Sequence, residues 1–380
     1  MKYFDYAATC PMDPEASKVY VKAASDYFGN ASSLHDIGGK SSVLLEQCRE
    51  ELARLLGIEP AGLYFTSGGS ESNFLAIEAL LSDTPKKGKH IIASIGEHSS
   101  IHGTLARLEK AGYETTYLPF MPTSGVISLE DFRAAIREET VLAVIQHANS
   151  ELGTIQPIKS IAEICKANNI YLHSDFVQSF GKLPLRSAEL VSSFSFSAHK
   201  FYGPKGIGGV YIDPSITWKP FFPGSTHEKG LRPGTSNVPA IAAMTAAAQL
   251  AFSALEKDNI NYKQLRQLLI GELEPIKAWM SIHEASEKSQ LPGILGLRIA
   301  GIEGQYVMLE LNRKGFAVST GSACHVGLHS PSKAMQALGI SGKEAKEFLR
   351  ISLGRFTEKK DIIQLAQEIV LIVLAMKKIS

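Results

Sequence analysis

Residues 195–206 read SFSAHKFYGPKG, a strand that runs out into a lysine and then a rigid turn. Upstream, residues 191–197 alternate apolar and small polar side chains, the period of a strand. Gly203, Pro204 and Gly206 prevent a helix from following. Lys200 is therefore expected just past the end of a strand, where open α/β sheets place reactive groups. Most lysines are solvated surface charges. This one stands among small hydroxyls (Ser193, Ser195, Ser197), behind His199 and ahead of a glycine turn, and a buried amine readily forms a Schiff base.

Before this stretch, strands and helices alternate. Residues 90–94, 114–119, 141–148 and 170–175 read as strands. Helices are expected from residue 95 to Gly112, over 128–137 with Ser128 and Asp131 as a capping box, and over 158–168. Such alternation means an α/β domain with a mostly parallel sheet flanked by helices. Two helices come first, one opened by Asp13 and Pro14 and closing near Gly29, the other over 41–56 and closed by Gly57. His35, in the loop 29–39 between them, is expected to be structural.

Residues 63–66, LYFT, form a short strand before Ser67, Gly68, Gly69 and Ser70 and a helix over 71–81. Strand, small-residue turn and helix make the geometry in which free amides and the positive helix end meet a phosphate; a plain βα turn is the other reading. Neither a Walker GxxxxGK[ST] nor a GxGxxG pattern occurs, which disfavours nucleoside triphosphates and dinucleotides. Polar groups follow four strands: His98; Asn149 and Glu151; Asp175 and Gln178; and Ser197, His199 and Lys200. They are expected to converge on one sheet edge as a pocket.

Downstream, residues 221–237 are rich in Gly and Pro and read as a long loop, in which Arg232 and Thr235 bind phosphate or substrate, or simply form an exposed hinge. A helix from Pro239, rich in alanine to Ala254, should end the first domain. Strands are expected over 295–300, 317–319 and 349–353, and a terminal helix over 358–376. The division expected is a large domain of residues 13–255 and a smaller α/β domain of residues 1–12 and 256–380. Four cysteines stand far apart with no CxxC pair, which argues against a disulfide framework or a structural zinc site. Cys10, Cys48 and Cys165 read as small buried hydrophobes. Cys324 lies in STGSACHVG (319–327), a setting typical of a mobile loop, so exposure and reactivity are expected. With only His325 beside it, it makes a poor metal site.

Over 380 residues, 39 Lys and Arg balance 38 Asp and Glu, so no global field favours nucleic acid or an anionic membrane. The first residues lack the apolar stretch of a signal peptide, and the apolar run 369–376 is too short to cross a bilayer. A cytoplasmic protein acting on a small molecule is the expectation.

Nine segments occur in a fixed order: YFDYAATCP, FTSGGSESN, EHSSI, HANSELG, HSDFVQSFGK, SFSAHKFYGPKGIG, RPGTSN, STGSAC and LRISLGRF. With them the chain resembles, nearly end to end, the class V aminotransferase group of pyridoxal phosphate enzymes, and within it cysteine desulfurases of the NifS/IscS type. The resemblance implies fold type I of pyridoxal phosphate transferases: a large domain with a mostly parallel mixed sheet, plus a smaller C-terminal α/β domain. It implies that Lys200 carries pyridoxal 5'-phosphate, His98 stacks on its ring and Asp175 pairs with the pyridinium nitrogen. Gln178 and Asn149 would bond the ring oxygen, and Gly69, Ser70, Ser197 and His199 would hold the phosphate. Thr235 would reach the phosphate of the other subunit, implying a homodimer. Arg350, with Asn149, would bind the carboxylate of L-cysteine. Cys324 would take the substrate sulfur as a persulfide and pass it to an acceptor protein, an iron–sulfur scaffold or a thiolation enzyme.

The chain departs from the commonest pattern in ATCP, in SGGSES, and in His325 to Gly327 after the cysteine, so the acceptor itself is not implied. Selenocysteine lyase and amino transfer are alternatives on the same scaffold. A noncatalytic assembly subunit that holds iron or sulfur through Cys324 is an alternative of another class.

Overall fold

The computed structural model describes residues 1–321 and 332–379. The strands are β1 (Lys2–Tyr3), β2 (Leu63–Thr66), β3 (His90–Ser94), β4 (Glu114–Leu118), β5 (Thr140–Val144), β6 (Tyr171–Asp175), β7 (Ser193–Ser197), β8 (Gly208–Ile212), β9 (Met280–His283), β10 (Ile294–Ile299), β11 (Phe316–Ala317) and β12 (Phe348–Ser352). The helices are α1 (Pro14–Asp26), α2 (Asp36–Leu56), α3 (Gly69–Ser82), α4 (Ser99–Lys110), α5 (Leu129–Ala134), α6 (Ile158–Ala167), α7 (Val238–Glu272), α8 (Gly304–Arg313), α9 (Lys333–Ala337), α10 (Gly342–Lys346) and α11 (Lys359–Ile379).

The main sheet has strand order β2-β8-β7-β6-β5-β3-β4. From β7 to β4 every pair is parallel, while β8 runs antiparallel to both β7 and β2. This is the mostly parallel mixed sheet expected. Helices cover both faces, so β3 and β5 are buried throughout and read as nearly unbroken apolar runs. In β7 the alternation sorts two chemistries. Phe194 and Phe196 join the main core, where Phe176 stacks on Phe194 and Phe180 on Phe196. Ser193 and Ser195 instead bond His173 and Asn73.

A second apolar cluster holds Phe4, Tyr262, Leu265, Leu269, Leu297, Leu349, Ile351 and the buried face of α11. Its sheet, β12-β10-β9, is antiparallel, and a parallel pair joins β1 to β11. Neither β1 nor β9 was expected.

Several boundaries differ from expectation, among them the end of β5 at Val144 rather than residue 148, and two helices differ most. Helix α2 begins at Asp36, because His35 Nδ1 accepts the Gly38 amide at 3.2 Å and caps it. The glycines that resemble loop residues belong to this helix: a β-carbon on Gly38 would lie 2.4 Å from the Ser33 carbonyl oxygen. Helix α7 does not stop at Ala254 but runs 35 residues to Glu272. Near residue 255 a helix buried on most sides becomes one that buries a single face (Tyr262, Leu265, Leu269), with no breaking residue between. By length and composition α7 could cross a bilayer, but most of its apolar stretch is buried inside the fold, against α1 and α2 among others.

Candidate active site

Because β3, β5, β6 and β7 are parallel, their carboxyl ends meet at one edge. There a cavity of about 270 Å3 is lined by Gly69, Ser70, His98, Asp175, Gln178, Ser197, His199, Lys200 and Arg350. All nine were expected from the sequence to serve one site.

Lys200 closes a single 3-10 turn, Ala198–Lys200, directly after β7. Its Nζ donates to the carbonyls of Ala7 and Ala8 at 2.6 and 2.8 Å. The N-terminal segment thus forms one wall through its backbone, which no side-chain pattern could announce. His199 Nδ1 lies 3.1 Å from Thr9 Oγ1. Burial, then the neighbouring Lys200, Lys205 and Lys182 and the His98 ring, push its imidazole down to about 4, so the ring is neutral at pH 7.

Asp175 ends β6 and is buried. Its Oδ1 accepts the Val177 amide at 2.8 Å and its Oδ2 accepts Asn73 Nδ2 at 2.9 Å. Asn73, on α3, also accepts His173 Nε2 at 3.0 Å and the hydroxyl of Ser195. Its amide therefore fixes the Asp175 carboxylate from inside the protein. Sequence reasoning missed Asn73; the signal was its position one helical turn after Gly69, on the same face of α3. Gln178 donates to the Ala7 carbonyl at 2.8 Å and accepts Lys182 Nζ at 3.1 Å. His98 caps α4, its Nδ1 accepting the Ser100 amide at 3.2 Å, which places the ring proton on Nε2.

Arg350 is buried in β12, where Nη1 donates to Ser150 O at 2.9 Å and Nη2 to Asp5 Oδ1 at 2.7 Å. Its Nε is buried with no acceptor among the described residues. Two carboxyl groups also line the cavity: Glu151, expected among the polar groups of the pocket, and Glu97, which was not. Glu97 accepts from Ser94 Oγ and the Gln146 amide through Oε1, while Oε2 is buried without a partner among the described residues; burial pushes this acid up to about 8. Glu151 accepts from Ser332 Oγ, and burial pushes it up to about 7.

Two expected residues stand elsewhere. Asn149 does not line the cavity: its Oδ1 accepts the amides of Glu151 and Leu152 at 2.9 and 2.8 Å, an Asx turn that shapes its own loop. Thr235 lies with Gly234 and Ser236 in a second cavity, together with Arg232, which pairs with Glu71 at 3.0 Å. Cys324 and His325 lie outside the described residues. Among the described residues no cluster of three or more His, Cys, Asp or Glu side chains could hold a metal.

These residues fit pyridoxal phosphate. Helix α3 begins at Gly68 and Gly69 with no side chain capping it, so its first amides are open to an anion. The backbone there lies against the cavity wall: a β-carbon on Gly69 would lie 2.6 Å from Val177 Cγ2. With Ser197 and neutral His199, which line the same cavity, these amides could cradle a phosphate, and the Asp175 carboxylate and Lys200 amine are groups of the kind that a pyridine ring and an aldehyde require.

Residues 2–365 match the sequence pattern of the aminotransferase class-V family. A Bacillus subtilis (strain 168) protein with the provisional name cysteine desulfurase NifS is 48% identical over 96% of this chain and 93% of its own length. The cysteine desulfurase IscS of Methanosarcina thermophila is 38% identical over 100% of this chain and 93% of its own. Among solved structures, a NifS-like protein superimposes with a TM-score of 0.90 at 30% identity, covering 98% of this chain and 99% of that one. The structure of SspA in complex with cysteine gives 0.80 at 33% identity, covering 94% and 100%. The chain belongs to the class V aminotransferase family, in its group of NifS- and IscS-type cysteine desulfurases.

Proposed function

We propose that this protein takes the sulfur of L-cysteine, releases L-alanine, and holds the sulfur as a persulfide on Cys324 for an acceptor protein. One observation carries this reading: Gly321 and Ser332, which flank the segment containing Cys324, line the same cavity as Lys200 and Arg350.

The Arg350 guanidinium binds the substrate carboxylate, which takes the buried Nε–H and the Nη hydrogens that Ser150 and Asp5 do not use. Pyridoxal phosphate, when bound, supplies the electron sink that lets the α-carbon lose its proton. The α3 amides, Ser197 and His199 would hold its phosphate, Gln178 its ring oxygen, His98 its ring face and Asp175 the proton on its ring nitrogen. Lys200 Nζ takes the α-proton and returns it. The thiolate of Cys324 attacks the substrate sulfur, so an S–S bond forms as the substrate carbon–sulfur bond breaks; its electron pair stays with the carbon fragment, which picks up a proton and leaves as alanine. A homodimer is part of this reading: Thr235 does not line the cavity of its own Lys200, which suits a role toward a partner's cofactor.

Sulfide and alanine release from L-cysteine, with a thiol reductant, tests the reading for the wild type beside Cys324→Ala and Lys200→Ala. Equal amounts of both products, abolished by either substitution, are expected. Full turnover by Cys324→Ala would instead favour amino transfer, and a wild type that binds cofactor but releases neither product would remove the assignment.

A further inference from the structure

The turn that Asn149 shapes has a use beyond its own folding. It runs between a bridge of Ala148 with Ile155 and the two Asn149 Oδ1 bonds to Glu151 and Leu152. Its second residue, Ser150, offers a carbonyl to Arg350 at 2.9 Å. Its third, Glu151, is buried and lines the cavity.

The Glu151 carboxyl meets both ends of the segment 322–331, in which Cys324 stands. On the far side, Ser332 Oγ donates to Glu151 Oε2 and accepts the Met335 amide at 3.1 Å, capping α9. On the near side, a β-carbon on Gly321 would lie 2.6 Å from the same Oε2, and Gly321 has a φ of 79°. Glycine is needed there for close approach and for conformation alike. Just before it, Ser319 and Arg350 exchange backbone hydrogen bonds at 3.2 and 2.7 Å, so the near end is tied to the strand that carries the substrate-binding arginine.

Stability does not call for a carboxyl group in this place. A fully buried acid is costly to ionise, and an apolar side chain of similar size would fill the space more cheaply. What the acid supplies is an acceptor for the Ser332 hydroxyl on one chain end and a surface on which the backbone of Gly321, whose amide donates to Ser319 Oγ at 3.3 Å, packs closely on the other.

We propose that Glu151 is a positioning residue for sulfur transfer: one carboxyl group bonds Ser332 and seats the backbone of Gly321 beside it, and by fixing these two chain ends at the cavity wall it governs the delivery of Cys324 to the substrate. This rests on the desulfurase reading above. Glu151 need not touch the substrate to do this.

The test uses the cofactor-loaded enzyme with Glu151→Ala, Glu151→Gln and Ser332→Ala. Single-turnover alanine formation from L-cysteine is expected to fall in Glu151→Ala by about tenfold to about a hundredfold, the range that a misplacement of about 1 Å costs. The absorbance of the bound cofactor and the KM for cysteine should stay near wild type. Glu151→Gln keeps an acceptor for Ser332 and should recover most of the rate, with Ser332→Ala between the two. A second readout does not depend on turnover: the alkylation rate of Cys324 by iodoacetamide, followed by peptide mass, should change in Glu151→Ala and return in Glu151→Gln. Wild-type alanine formation and wild-type alkylation in Glu151→Ala and Ser332→Ala would overturn the proposal. So would equal loss of cofactor or cysteine binding in Glu151→Ala and Glu151→Gln, which would make Glu151 part of the binding pocket itself. If Glu151→Ala does not fold, the other two variants decide by the same measurements. Should the wild type form no alanine from cysteine, the desulfurase reading fails while alkylation still judges Glu151.

Discussion

Asn73→Asp removes a single donor group of the site, the amide nitrogen of Asn73. The two side chains have the same shape, and the introduced carboxyl can still accept from His173 and Ser195, as Asn73 Oδ1 does. What is lost is the donor at 2.9 Å from Asp175 Oδ2, which also serves Ser100 Oγ at 3.1 Å; the serine hydroxyl can turn to donate to the new carboxyl, whereas Asp175 cannot. In its place two buried acids face each other. Ionised carboxylates about 4 Å apart, at an effective dielectric of about 20, repel by about 4 kcal/mol, equivalent to about three pKa units. The cluster of the introduced carboxyl, Asp175 and His173 should therefore keep one extra proton when folded at neutral pH. Unfolded, both acids ionise near pH 4. Between that pH and the raised folded value the native state binds more protons than the unfolded one, so stability falls as pH rises. Urea unfolding from pH 5 to pH 8.5 should show the variant close to wild type at the acid end and about 3 to 4 kcal/mol less stable at the alkaline end. Wild-type and variant curves that stay parallel across this range would refute the role given to Asn73.

Three further outcomes follow from other buried groups. Burial holds His147 down to about 4, so its contribution to stability is complete above pH 6.5 and is lost as pH falls toward 4; about 2 kcal/mol should be gone by pH 5, and His147→Asn should flatten that part of the unfolding profile. Glu97 has the opposite sign: with its folded value raised to about 8, stability falls as pH rises from about 4.5 to 8, and Glu97→Gln should gain about 3 kcal/mol relative to wild type between pH 4.5 and pH 7 in the same titration. The Glu228 side chain, 6% exposed, accepts the Phe65 amide at 2.9 Å and both Arg49 Nη atoms at 3.0 Å, so Glu228→Ala leaves an edge amide unpaired and the Arg49 guanidinium with only the exposed Glu46 as its carboxylate partner. A loss of about 2 to 3 kcal/mol in chemical denaturation is expected, and a loss below about 1 kcal/mol would show that water replaces the carboxylate.

The parallel sheet was legible because short strand-like stretches alternate with helical ones, and the cavity because His98, Asp175, Gln178, Ser197, His199 and Lys200 stand at or just past strand ends. A residue's type and its distance from a strand end are visible in sequence. What a side chain bonds to is less so. Asn149 has the residue type and position of a pocket residue, yet it spends its oxygen on its own turn. The carbonyls of Ala7 and Ala8 carry no signature in residue type. The two-sided role of Asn73 requires knowing that His173, Ser195 and Asp175 sit side by side on adjacent strands. Helix α7 was cut short because a change from alanine to charged residues resembles a boundary, when it records only a change in what surrounds the helix.

Peptide mass analysis after one turnover with L-cysteine, without reductant, tests the central claim most directly. The account predicts that the peptide carrying Cys324 gains one sulfur atom in step with alanine release, and that Lys200→Ala abolishes both. Alanine released without added sulfur on Cys324, or sulfur added equally to Cys10, Cys48 or Cys165, would contradict it.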